Sequence, residues 1–171
     1  YIFVNDKAQA RLARVNCETM EVDRVVDIPH SQGTHGIFPQ RDRLGYVFCN
    51  SEFRTPLPNT ASAGTNADLE DPKKYGAMHT AIDGNTMEVK FQVIIEGNLD
   101  LCATDYKGLY SFSCCYNLEG GVDLEGMMAN ERDCLYVFNI KNIEAAVSAG
   151  TAGGKTTTIG DSKVPVIDAR G

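Results

Sequence analysis

No run of apolar side chains in this sequence approaches the roughly 20 residues that cross a bilayer as a helix, so no helical membrane span is expected. Positive charge is also scarce. Sixteen lysines and arginines against 23 aspartates and glutamates leave a net charge of −7, which excludes a general nucleic-acid surface because phosphate binding relies on clustered cations. The acidic balance otherwise bears on solubility. The six cysteines form no CxxC and no zinc-ligand pair, and they read as small buried hydrophobes. Adjacent Cys114 and Cys115 point to opposite faces of a strand and are poor partners for each other. An initiator Met and a signal-like apolar stretch are both missing from the opening Tyr1-Ile2-Phe3-Val4-Asn5, so the chain reads as an internal fragment. Histidine is rarest of all, with only His30, His35 and His79, and one imidazole does not hold a metal by itself.

What the sequence does hold is repetition. Tyr1-Ile2-Phe3-Val4-Asn5 returns as Tyr46-Val47-Phe48-Cys49-Asn50, with Leu135-Tyr136-Val137-Phe138-Asn139 as a looser third copy. Thr19-Met20-Glu21-Val22 returns unchanged as Thr86-Met87-Glu88-Val89, each copy followed by a β-branched run. Every unit thus reads as a strand ending in Asn, a polar turn, a second strand, a Thr-Met-Glu-Val turn and a third strand. The first unit predicts strands over 1–5, 10–16 and 22–28, the second over 35–38, 46–50, 77–83 and 88–95, and the third over 101–104, 109–115 and 134–140. Alternation in 10–15 predicts one solvated face. The Pro-, Asn- and Ala-rich stretch from Thr55 to Tyr75 reads as a surface excursion. One short surface helix is predicted over 143–149, with Asn142 as its N-cap and Gly150 in the left-handed position that ends it. Strand-rich units of about 45 residues point to an all-β chain of propeller blades. Three blades cannot close a ring that takes about four to eight, so part of any channel-facing site belongs to neighbouring blades.

Two constellations could carry chemistry. His35 lies at the seam between the first two units, where Gly33 and Gly36 supply short backbone able to aim a ring. Glu119, Asp123, Glu125, Glu131 and Asp133 crowd one loop, and hard oxygens in a flexible loop suit Ca²⁺, although a solvated acidic loop with Arg132 as counter-ion fits the same composition. The spacing excludes an EF-hand, and Gly153-Gly154-Lys155-Thr156 lacks the earlier glycine of a phosphate loop, since position 149 is Ala149.

Thr34-His35-Gly36 followed by Tyr46-Val47-Phe48-Cys49-Asn50-Ser51-Glu52-Phe53 resembles the nitrous-oxide reductases, copper enzymes that reduce N2O to dinitrogen and water in denitrification. Cys115-Tyr116-Asn117-Leu118-Glu119 with Met127-Met128-Ala129-Asn130-Glu131-Arg132-Asp133 is similar to the calcium loop of that family, and the stretches 81–100 and 160–168 extend the likeness along nearly the whole chain. The 54–75 insertion and the extra cysteines suggest a divergent branch. The resemblance implies about three blades of a seven-bladed N-terminal β-propeller, without the C-terminal cupredoxin domain. It makes His35 one of seven histidine ligands of a tetranuclear copper–sulfide cluster, the others lying before Tyr1 and after Gly171. It also makes Tyr116 and Met127, through carbonyls, and Glu119 and Asp133, through carboxylates, calcium ligands. His30 and His79 match no ligand of the family. The implied partners are N2O, a c-type cytochrome or cupredoxin electron donor, and a second identical subunit whose binuclear copper centre delivers electrons, all in the periplasm. The fragment alone is expected to be inactive. The rival expectation is a non-catalytic YVTN-like β-propeller binding module, which the repeats fit equally well and which would need neither a histidine pair just before Tyr1 nor a cupredoxin domain.

Overall fold

The computed structural model describes residues 1–40, 45–56, 75–116, 133–150, 155–157 and 164–169. The first sheet is a meander of β1 (Ile2–Asp6), β2 (Arg11–Asn16) and β3 (Glu21–Asp27). The second runs from β4 (Gln32–Pro39) through β5 (Tyr46–Phe53) and β7 (Tyr75–Asp83) to β8 (Val89–Ile95), with the two-residue β6 (Thr55–Pro56) on β7. The third is β9 (Asn98–Thr104), β10 (Tyr110–Tyr116) and β11 (Cys134–Asn139). These are blades of a partial β-propeller, as the repeat pattern predicts.

The repeats prove to be structural down to their irregularities. Met20 and Met87, at the same place in the two Thr-Met-Glu-Val turns, both take positive φ, at 59° and 60°. In each copy the amide of that Met donates back to a residue four earlier, Asn16 or Asp83. A bulge follows at matching places as well, between Arg14 and Val15 in the first blade and between Ala81 and Ile82 in the second. Equal backbone exceptions at equal positions mean that β1, β2 and β3 correspond to β5, β7 and β8, so β4 and β9 are the strands that lead their blades. β4 packs against β9 and against β1, which holds in the first blade the place of β5 in the second, and the leading strands of successive blades form the inner rim of a propeller.

Four expectations need correction, and one element was not expected. Leu135–Asn139 is β11, the third strand of its blade, whereas β10 holds the place of Tyr46–Asn50; a five-residue alternating motif is too short to fix its rank in a sheet. The helix, α1, spans Ile140–Ala149 with Asn139 as N-cap, its side chain accepting from the Asn142 amide at 3.1 Å. Gly150 does end it, at φ 70°. Arg14 does not lie on a solvated face: it is 6% exposed, pairs with Asp23 through two 2.9 Å bonds and donates to the carbonyls of Gly84 and Asn85, tying the first blade to the second. Thr55 and Pro56 at the start of the supposed excursion pair with Gly76 and Tyr75, while positions 57–74 lie outside the described residues. Finally, the hairpin β12 (Lys155–Thr157) and β13 (Val166–Asp168) was not foreseen. β13 lies parallel to β8, which covers an otherwise open sheet edge.

The main core lies between the second and third blades, where Phe48, Phe91, Ile95, Leu99, Phe138 and Ile140 are buried together. The opposite face of the second blade packs on the first through Leu12, Ile28, Val47 and Ile82.

Candidate functional site

His35 sits within β4. Thr34 pairs with Ser51 and Ile37 with Cys49, so His35 and Gly36 together oppose Asn50 in a bulge. A bulge re-aims the side chain it carries, which is why such irregularities gather beside functional sites. Gly36 is needed there for a steric reason. A Cβ on it would collide with the backbone of β9, at the Asp100 carbonyl and within 2.8 Å of Leu101 Cα and Cys102 N. The bare glycine therefore lets the leading strands of two blades touch, and this brings the His35 ring to Asp100.

His35 Nδ1 and Asp100 Oδ1 are 2.5 Å apart, with each side chain roughly two-fifths exposed. Those two atoms are themselves buried and are not aligned as a hydrogen bond, so each lacks a directional partner. A buried nitrogen and a buried carboxylate oxygen left in that condition are costly unless a proton or a cation joins them. The arrangement fits a metal ligand held against a carboxylate. It fits only as one ligand among several, since no group of three or more His, Cys, Asp or Glu could hold a metal among the described residues.

Repeated asparagines hold this geometry. Asn5 Nδ2 donates to the carbonyls of Thr34 and His35 at 2.6 and 2.8 Å, fixing the backbone that bears the imidazole. Asn50, the same position one blade on, donates to the carbonyls of Asp100 and Leu101 at 3.0 and 3.1 Å and to Ser113 Oγ at 2.8 Å. Its Oδ1 meets His79 Nδ1 at 2.8 Å. Replacing Asn50 by Ala would strand all four partners in or beside the core. With about 1–3 kcal/mol for each unsatisfied buried group, the loss of stability should reach at least about 3 kcal/mol by urea denaturation.

His79 is a structural residue. Its ring stacks between Phe48 and Phe138, with centroids at 5.2 and 4.7 Å, and its second nitrogen meets Ser111 Oγ at 3.0 Å. Burial pushes its pKa down to about 3, so the folded protein keeps it neutral. The unfolded chain binds a proton that the native state refuses, and stability therefore falls as pH drops from about 6.5 towards 3, by about 1.4 kcal/mol per unit. Urea midpoints measured from pH 6.5 to 5, above the carboxylate range, should show this slope, and His79→Gln should flatten it.

Of the expected calcium ligands, Glu119 and Met127 lie outside the described residues. Tyr116 closes β10 opposite Asn98, and exposed Asp133 directly precedes β11. Because Cys115 pairs with Cys134, these two residues leave the sheet side by side. Asp133 also lines a cleft of about 420 Å³ with Asp100, Cys114, Cys115, Cys134 and Leu135. Asp100, which touches the His35 ring, and Asp133 thus line one cleft although they are far apart in sequence. Sequence reasoning missed Asp100 and the tethering role of Asn5 and Asn50; the recurring terminal Asn was the available signal.

Residues 28–101 match the family described as nitrous oxide reductase propeller repeat 2. The chain is 46% identical over 171 residues to the nitrous-oxide reductase of Stutzerimonas stutzeri, and 47% identical over 171 residues to that of Pseudomonas fluorescens, with 99% of the chain covered in both cases. Against the nitrous-oxide reductase of Ralstonia nicotianae it is 46% identical over 176 residues, covering 98% of the chain. It spans 26% of the length of each of these relatives.

Proposed function

The chain belongs to the nitrous-oxide reductases, and from that premise we propose that it is a segment of the N-terminal β-propeller of such an enzyme, in which His35 is one ligand of a tetranuclear copper–sulfide cluster and Tyr116, Glu119, Met127 and Asp133 contribute to a calcium site. The observation that carries the copper reading is the His35–Asp100 pair. An imidazole on the leading strand of a blade, set in a bulge and pressed on a carboxylate, is how a protein orients a metal-binding ring. Exposed apolar side chains support the wider ring. Ile2 and Val4 on the first blade, and Leu101, Leu135 and Val137 on the third, stand on faces where further blades would pack.

N2O is a poor, kinetically inert ligand, and its cleavage takes two electrons and two protons. The copper–sulfide cluster, when bound, supplies electron-rich Cu(I), which soft sulfide and several imidazoles favour. This chain's own part is positional: Asn5 fixes the His35 backbone, Asn50 fixes that of Asp100, and Gly36 sets their separation. A periplasmic location accompanies this reading, as does a homodimer in which the binuclear copper centre of a cupredoxin domain on the other subunit receives electrons from a c-type cytochrome or cupredoxin. With a single cluster ligand, the chain expressed alone has no turnover.

The test is the full-length protein, expressed with copper-maturation machinery and assayed for metal content and N2O-dependent oxidation of reduced viologen. Absence of copper and of turnover would overturn the reading. For the second site, Asp133→Ala should lower bound calcium and thermal stability while the His35 environment stays in place; calcium content equal to that of the unmodified protein removes Asp133 from the ligand set.

A further inference from the structure

Cys115 and Cys134 face each other across β10 and β11 as direct partners in the antiparallel register. Direct cross-strand partners have Cα atoms about 4.5–5.5 Å apart, inside the span of about 4.4–6.8 Å that a disulfide bridges. Both are thiols in this structure, and their side chains are in hydrogen-bonding contact, with Cys115 Sγ also donating to the Glu96 carbonyl at 3.4 Å. Cys115 is 1% exposed, whereas Cys134 is half-buried, and both line the cleft shared with Asp100 and Asp133. None of the other four has a cysteine as its cross-strand partner: Cys17 lies in the first blade's turn, Cys49 opposes Ile37 and Thr80, Cys102 opposes Ser113, and exposed Cys114 opposes Leu135.

We propose that Cys115 and Cys134 form a reversible cross-strand disulfide that clamps the point where Tyr116 and Asp133 leave the sheet. Half-buried Cys134 is the sulfur that an external disulfide, such as glutathione disulfide, can reach. Its thiolate attacks to give a mixed disulfide and releases one thiol, and Cys115 then displaces the second. One external disulfide becomes two thiols, the two protein thiols become one disulfide, and electrons and protons balance. With Cys115 only 1% exposed, both formation and reduction of the bond run through Cys134. The bond closes a ring of about 20 residues, from Cys115 to Cys134, and fixes the two strand ends to each other. Its effect on calcium rests on the proposed function, because the residues flanking the two sulfurs, Tyr116 and Asp133, are ligands only in that reading.

The full-length protein should be equilibrated in glutathione buffers from fully reduced to fully oxidised, quenched with acid, alkylated after denaturation and digested. A Cys115–Cys134 linked peptide is expected to predominate at the oxidising end and to revert with excess reduced glutathione. Cys134→Ser should abolish it and leave Cys115 alkylatable. Separate alkylation of both residues at the oxidising end, or linkage to Cys102 or Cys114 instead, overturns the assignment. Competition with a calcium-chelating dye gives the second readout, with calcium held about tenfold more tightly in the oxidised form. A linked peptide with equal affinity in both forms refutes the clamp. A linked peptide in a protein that binds no calcium in either form refutes the calcium reading and leaves the disulfide standing.

Discussion

Replacing His35 by alanine in the full-length, copper-matured protein is expected to lower N2O-dependent viologen oxidation by more than about a hundredfold and to reduce the copper bound. The change should barely affect folding. The ring is more than one-third exposed, its polar contact is to an equally exposed carboxylate, and the backbone it stands on is held by Asn5 through carbonyls that alanine retains. A melting temperature near that of the parent, combined with lost copper, separates a missing ligand from a broken scaffold. Undiminished turnover would remove His35 from the cluster and with it the main support for the proposed function.

Gly36→Ala is expected to do the opposite, damaging the scaffold first and the site through it. The added methyl group meets the backbone of β9, at the Asp100 carbonyl, Leu101 Cα and Cys102 N, and none of these is the far end of a flexible side chain. Relief requires β4 and β9 to separate. That movement strains the Asn50 bonds to Asp100 and Leu101, opens the buried core around Phe48 and Leu99, and draws Asp100 away from the imidazole. Overpacking costs of about 1–3 kcal/mol for side-chain neighbours are a lower guide when the neighbour is a strand. We expect a loss of about 3 kcal/mol or more by urea denaturation, with copper content falling alongside. A variant that keeps full stability would mean that the two leading strands are not in contact.

The two substitutions differ because Gly36 serves packing and His35 serves chemistry, although they are adjacent. Their adjacency also explains why the site was only half legible in advance. A Thr-His-Gly triplet identifies a ring with pliable backbone beside it. It does not announce that Gly36 is fixed by a strand more than sixty residues later, because steric exclusion between blades leaves no local pattern. Asp100 was unreadable for the same reason: the Leu99 to Leu101 stretch is an ordinary alternating strand until β4 is laid against it. His79 shows the converse. Its sequence context gave no role, and its burial between two aromatic rings with both nitrogens engaged makes it a neutral core residue.

The sequence by itself determined the strand content, the blade-like repeat and the recurring turn, because alternation and left-handed turn residues are properties of a few consecutive amino acids. It also carried the family, through motifs spread along the chain. Only the tertiary structure decided which strand leads each blade, that Asn139 rather than Asn142 caps the helix, and that β13 runs parallel to β8. It alone decided that Asp100 and Asp133 line one cleft. Each of these depends on which distant segments lie side by side, and that is settled by packing between sheets rather than by any local preference.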